Sequence, residues 1–209
     1  MLVYTAIYGN YDKLPQPQVT GKHTYVCITD DTKPKGVWTI EKKTCSLSPR
    51  RCSRHAKIVY YQHFPNEEIT IWHGGNVRLK GDLTALANLL NGTDIAAVRH
   101  SQRDCIYDEA QACIRWNLDN KLTIKEQMAR YRKAGYPARN GLHTAFLIVR
   151  RNTKKMRKLA DLWWNEVRRG SHRDQLSFDY CLWKMKIEPA IIPGNIYEGP
   201  NYQRTGLHN

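Results

Sequence analysis

The sequence predicts an α/β fold: a mixed sheet flanked by helices, in one domain spanning residues 1–209. Three observations carry the α/β class. Short β-branched and aromatic runs alternate along the chain with stretches of helical periodicity, the pattern of strands interleaved with helices. One such run, Ile69-Thr70-Ile71-Trp72, stops abruptly at Gly74-Gly75 with His73 and Asn76 on either side. A strand, a glycine break and a polar cluster followed by a helix is how an open α/β sheet presents a ligand at its carboxyl edge. Finally, residues 154–169 form an unambiguous amphipathic helix: Met156, Leu159, Ala160, Trp163 and Val167 recur at helical spacing, Thr153 can cap the start, and Gly170 ends it.

Taken in order, strands are expected at 2–8, 23–29, 37–40, 57–61, 69–72, 94–99, 143–149 and 187–192. The helix after the glycine pair should open at Asp82 as N-cap, run through 83–90 and stop at Asn91-Gly92. Residues 105–116 and 123–133 read as helices, the second closed by Gly135 with Pro137 beyond. A last helix at 174–184 sets Leu176, Tyr180 and Trp183 on one face. The Gly-, Pro- and Asn-rich tail at 193–209 is expected to be an irregular cover over the sheet.

A chain of 209 residues buries roughly 70% of its unfolded surface. No apolar run approaches the roughly 20 residues needed to span a bilayer, so no transmembrane segment is expected. The first residues lack a charged n-region and a cleavage site, so no signal peptide is read and a cytoplasmic protein is expected. Six cysteines (27, 45, 52, 105, 113 and 181) include no CxxC pair. Cys45 and Cys52 could close a loop, but without an export signal reduced thiols are the expectation.

The charge is unusual: 33 Lys and Arg against 19 Asp and Glu give +14. Such a field favours polyanions, among them nucleic acid, nucleotide diphosphates and acidic membranes. It also suits a solvated, solubilising surface. No P-loop, zinc-finger spacing or RNA-recognition signature is present.

Polar clusters at the ends of expected strands are the candidate sites. Thr5, Ala6, Tyr8 and Gly9 lie where the first strand runs out, and Asp30 follows the strand at 23–29. Arg54 and Lys57, in a basic run from Arg50, suit diphosphate oxygens. Gly74, Gly75 and Asn76 form the central break, and His100, Arg103 and Asp104 follow the strand at 94–99. Gly141, Leu142 and His143 precede another strand. Asp174 and Gln175 begin the last helix, where Asp174 is placed either to cap it or to act as a base or meet a sugar hydroxyl.

In chain order, the motifs YTAIYGNYD, CITDD, SRHAK, IWHGGN, RHSQRDCIYDEA, GLHTAFLIVRR, WWNE and RDQLSFDYCLWK resemble a family of short glycosyltransferase-like proteins of bacteria, phages and plants. The family was long catalogued as a domain of unknown function and includes plant mucilage-synthesis proteins. The resemblance covers residues 2–184. It implies a GT-A fold that transfers a sugar from a nucleotide-sugar, taken as a UDP-sugar, to an acceptor hydroxyl. By that resemblance Thr5, Tyr8 and Asp30 contact the nucleoside, Arg54 and Lys57 the diphosphate, and Asp174-Gln175 lie beside the reacting carbon. Gly141 to His143 are assigned to the acceptor.

One departure matters. Where the family reads Trp-Ile-Asp-Gly-Asn, this chain reads Trp72-His73-Gly74-Gly75-Asn76, so glycine replaces the aspartate expected to ligate Mn or Mg. Three readings stay open: His73 with a tail histidine such as His208 holds a softer metal; Arg and Lys replace the metal; or the protein is inactive. The expected acceptor is a polyanion, first a hydroxymethylated base in phage-type DNA, which would have to leave the stack. A lipid-linked or cell-surface glycan competes with it, as does a non-catalytic nucleic-acid-binding protein on the same fold.

Overall fold

The structure is a computed structural model and describes residues 1–31 and 36–206. Its elements, in order, are β1 (Leu2–Ile7), β2 (Gln18–Thr20), β3 (Thr24–Thr29), β4 (Thr39–Lys42), α1 (Pro49–Ile58), α2 (Tyr60–His63), β5 (Ile69–His73), β6 (Val77–Asp82), α3 (Thr84–Asn88), β7 (Ile95–Arg99), α4 (Ile106–Arg115), α5 (Lys121–Lys133), β8 (His143–Arg151), α6 (Lys154–Arg169), α7 (Gln175–Lys184), β9 (Ala190–Ile192), β10 (Glu198–Gly199) and β11 (Tyr202–Arg204).

Seven strands form the main sheet in the order β4-β3-β1-β5-β8-β7-β9. The pairs β1–β3, β1–β5, β3–β4 and β7–β9 are parallel, and β8 runs antiparallel to both β5 and β7. The carboxyl ends of β1, β5 and β7 therefore open on one edge, and the amino end of β8 joins them there. The mixed α/β sheet expected from the sequence is present.

The two-residue period of the strands divides the core. Tyr4, Ala6, Trp72 and Ile148 face the helical layer built by α1 and α4 to α7, around Trp163 and Phe178. Val3, Ile71, Leu147 and Val149 face the opposite layer, which holds α3 and Tyr202. Two helices start as the sequence indicates: the Thr153 hydroxyl accepts from Met156 N at 3.3 Å, and the Asn120 side chain accepts from Thr123 N at 3.0 Å.

Four expectations are corrected. Residues 57–61, read as a strand, are the end of α1 and the start of α2. Pro49 pre-sets the first turn, and a helix continued from it buries Cys52, Ala56 and Ile58 on one side, which outweighs the β-preference of Ile58 and Val59. The glycine break leads first into β6 rather than directly into a helix, and the helix beyond is the short α3; Asp82 still marks its start, its carboxylate accepting from Thr84 N at 2.8 Å. The tail is partly regular. Tyr202 pairs with Leu79, and β10-β11-β6-β2 form a second sheet over the first. Lastly, Cys45 and Cys52 are a disulfide, because the chain before α1 folds back to a Cα–Cα separation of 5.9 Å, within bridging range. The other four cysteines are buried free thiols.

His73 turns away from the polar edge and packs into the layer beneath the sheet, its ring 5.3 Å from that of Trp38, with Nδ1 donating to the Gly74 carbonyl at 2.9 Å. Burial pulls its pKa down to about 4. A histidine whose folded pKa lies below its unfolded value gives stability that is complete above the unfolded value and is lost as pH falls toward the folded one. Stability should therefore fall between about pH 6.5 and pH 4, by on the order of 1 kcal/mol per pH unit from this group. Denaturant titrations at pH 7 and pH 5 check it: His73→Leu should flatten the difference, and an unchanged slope would assign the acid sensitivity elsewhere.

Candidate active site

A cleft of about 390 Å³ lies at the carboxyl edge. Ala6 and Tyr8 come to it from the end of β1, and Gly74, Gly75 and Asn76 from the end of β5. Thr144, Ala145 and Phe146 of β8 form one wall. The α1 residues Arg50, Ser53, Arg54 and Lys57 form another, with Ser53 Oγ donating to the Ala6 carbonyl at 3.0 Å to seat the helix on β1.

Asp174 is the centre of the charge. It precedes α7, but its side chain does not cap that helix. The carboxylate instead meets Arg54 Nε at 3.0 Å through Oδ1 and the Lys57 ammonium through Oδ2. Lys57, 3% exposed, also donates to the Ala145 carbonyl at 2.8 Å and lies near the rings of Trp72 and Trp163. Trp163 Nε1 donates to the Asp174 carbonyl at 2.9 Å, so the long amphipathic helix fixes the carboxylate's backbone. Burial alone would raise the Asp174 carboxyl; Lys57 and Arg54 outweigh it and hold it below the ordinary carboxylate range. Burial pulls the Lys57 ammonium down to about 7, against the attraction of Asp174.

A second cluster faces it. Backbone N–H groups of Gln102 and Arg103 donate to His100 Nδ1 at 3.1 and 3.0 Å. Arg103 Nε pairs with Glu109 Oε2 at 2.5 Å, and its guanidinium lies 5.5 Å from the Trp116 ring. Burial lowers the His100 pKa. Arg173 and Arg204 complete the basic lining.

Of the sequence-derived residues, Ala6, Tyr8, Arg54, Lys57, Gly74, Gly75, Asn76, His100, Arg103, Asp174 and Gln175 meet in this cleft. The rest lie apart. Thr5 is buried inside β1. Asp30 accepts from Gly9 N through both oxygens, at 2.9 and 3.2 Å, and so anchors the turn leaving β1. Asp104 is exposed beyond the cleft. Gly141 and His143 line a different cavity, Leu142 is buried, and His208 falls outside the described residues. Glu109 and Arg173 stand inside quoted motifs yet were not singled out, and Arg204, brought in by β11, carries no local signal.

At the position where the sequence lacks the expected aspartate, the chain offers a divalent cation no side chain. The one ligand Gly74 can offer is its carbonyl, and that already accepts from His73 Nδ1 and from Val77 N at 3.0 Å. Among the described residues no three His, Cys, Asp or Glu side chains converge on a possible metal position.

Comparison with known proteins agrees with this architecture. Mouse xyloside xylosyltransferase 1 superposes with a TM-score of 0.52 at 10% identity, over 92% of this chain and 84% of that one. The bifunctional glycosyltransferase WbbM gives 0.54 at 11% identity, over 92% of this chain and 38% of that one. At these identities the likeness shows the fold. In sequence the chain is 23% identical over 210 residues to the Arabidopsis thaliana protein named "Probable hexosyltransferase MUCI70", covering 85% of this chain and 36% of that protein. It is 25% identical over 230 residues to "Alkaline ceramidase TOD1" of the same plant, covering 91% of this chain and 49% of that protein. The chain thus spans between about a third and a half of the length of these relatives. The family described as "TOD1/MUCI70, glycosyltransferase-like domain" matches residues 26–203, and the chain belongs to it.

Proposed function

We propose that the cleft binds a nucleotide-sugar, UDP-linked by preference, and transfers the sugar to an acceptor hydroxyl, with Arg and Lys side chains in the place of a metal ion. One observation carries this reading: a single buried carboxylate, Asp174, faces Lys57, Arg54 and Arg173. The cationic excess in so enclosed a place favours an anion such as a diphosphate. As the sugar's bond to the diphosphate breaks, the leaving group takes the bonding pair, and fixed cations stabilise it without reorganising. The acceptor oxygen bonds to the sugar carbon, and its proton passes to a diphosphate oxygen. A carboxylate held below its ordinary pKa is a poor proton acceptor. Asp174 therefore serves as the anchor that aims Arg54 and Lys57, and Gln175 lies beside the sugar.

The acceptor we propose is a polyanion, first a hydroxymethylated base in DNA, met in the cytoplasm. The Cys45–Cys52 disulfide favours a second reading, a cell-surface or lipid-linked glycan in an oxidising compartment. A non-catalytic nucleic-acid binder would keep affinity for DNA without turnover.

The test is a thermal-shift series with UDP, GDP, CDP and ADP, each with and without manganese. A ligand at about 100 times its Kd stabilises the native state by about 2.7 kcal/mol. UDP is expected to raise the melting temperature with manganese making no difference. A shift only with manganese would remove the cationic replacement, and none with any nucleotide would remove the transferase reading.

A further inference from the structure

A second cavity, about 1610 Å³ and larger than the cleft, is an open groove lined by residues of β7, β8, α7 and β9. It exceeds the roughly 300–1,000 Å³ of ordinary small-molecule pockets. Arg99, Arg139, Lys155, Lys184 and Lys186 stand exposed along it, and none of the five is held in an ion pair among the described residues. A sixth cation, Arg151, is paired with Glu68 at 2.9 Å. The acids facing the groove are largely engaged: Asp94 accepts from the Thr153 hydroxyl, and Asp179 accepts from both His143 N and His143 Nδ1, leaving Glu188 exposed. The exposed Lys154 and Lys158 of α6 extend the basic stripe beyond the groove.

One cation sits where packing would prefer another residue. Lys186 has φ 52° directly after the end of α7, the closing position that glycine usually fills. Arg139, also on the rim, has φ 55°. Side chains kept in this left-handed region are held there against a local cost.

We infer that this groove is a binding site for a single strand of nucleic acid. Five cations free of ion pairs, of which Lys184 lies 5.7 Å from the Trp183 ring, match a run of phosphates. The half-buried Trp183 and exposed Ile191 in the same groove give apolar surface suited to bases rather than to hydroxylated sugars. The groove also adjoins the cleft. Arg99 and His143, paired across β7 and β8, line the groove, while the next residues, His100 and Thr144, line the cleft. A strand in the groove thus passes within a residue or two of the cleft's lining. A link to transfer rests on the proposed function; strand binding itself does not.

Fluorescence anisotropy of the full chain with a labelled strand of about 20 nucleotides tests it without any donor. Binding should weaken steeply as salt rises, and Lys184→Ala/Lys186→Gly should weaken it about tenfold. Glycine suits the closing position of α7, so the variant should melt no lower than the parent from that change, and its thermal shift with UDP should be unaltered. Lys121→Ala/Lys125→Ala, on the exposed side of α5 away from the groove, should change binding less than twofold, since only local contacts are at stake. Equal weakening by both pairs would reduce the effect to overall charge and overturn the groove. A charge-matched heparin fragment binding as tightly as the strand, or more so, would overturn nucleic acid as its ligand. Loss of the UDP shift with strand binding intact would remove the transferase reading alone.

Discussion

Replacing Asp174 with asparagine should cost the fold about 3 kcal/mol as well as abolish transfer, because removing one partner of a buried ion pair leaves the other charge uncompensated. The charges at risk are Lys57, which is almost fully buried, and Arg54, which shares the same carboxylate. The change keeps the shape and removes only the charge, so the loss is electrostatic. Two further outcomes separate this account from simple misfolding. A bound diphosphate resupplies negative charge, so UDP should raise the melting temperature of Asp174→Asn by more than it raises that of the parent. The double variant Asp174→Leu/Lys57→Met should recover most of the lost stability, since a well-packed apolar pair often replaces a buried ion pair at little cost. It should not recover transfer. Chemical denaturation of the parent and these two variants, with UDP present and absent, reads both effects. Unchanged stability in the single variant would mean that the two cations find other partners, and Asp174 would then lose its place as anchor.

Gly74→Asp should make nucleotide binding respond to manganese. A Cβ at Gly74 meets Asn76 Oδ1 at 3.3 Å, Val77 Cγ2 at 3.8 Å and the Phe146 carbonyl at 3.9 Å, so a side chain fits once Asn76 gives by a few tenths of an ångström. The backbone there is not left-handed, unlike that of Gly9 or Gly81. The neighbouring glycine is different: a Cβ on Gly75 would lie 2.7 Å from Asp12 Cβ, so the chain approaches too closely for a side chain. Manganese should therefore add to the UDP shift in Gly74→Asp and not in the parent. Without metal the variant should bind UDP about tenfold more weakly, because the new carboxylate repels the diphosphate in a partly enclosed site. A UDP shift in Gly74→Asp that manganese leaves unchanged would show that a carboxylate at position 74 does not face the diphosphate.

The sequence by itself determined the elements whose signals are local. Helix α6 runs over the predicted residues because Thr153, the apolar repeat and Gly170 all act within the segment. Strands β1, β3, β5 and β8 follow from β-branched runs bounded by turns, and with them the α/β class. Most of the cleft was legible for the same reason, since the ends of β1, β5 and β7 carry polar residues directly after apolar runs. Tertiary structure decided the remainder. Ile58 prefers a strand, yet the helix continued from Pro49 buries it together with Cys52 and Ala56. The tail has no periodicity of its own, and pairing of β11 with β6 orders it and brings Arg204 to the cleft. Asp174 could equally have capped α7; its actual partners lie on α1, more than a hundred residues away in sequence. Local propensity sets which segments become helix or strand, whereas the meeting of charges depends on how the sheet orders those segments, which no short stretch of sequence encodes.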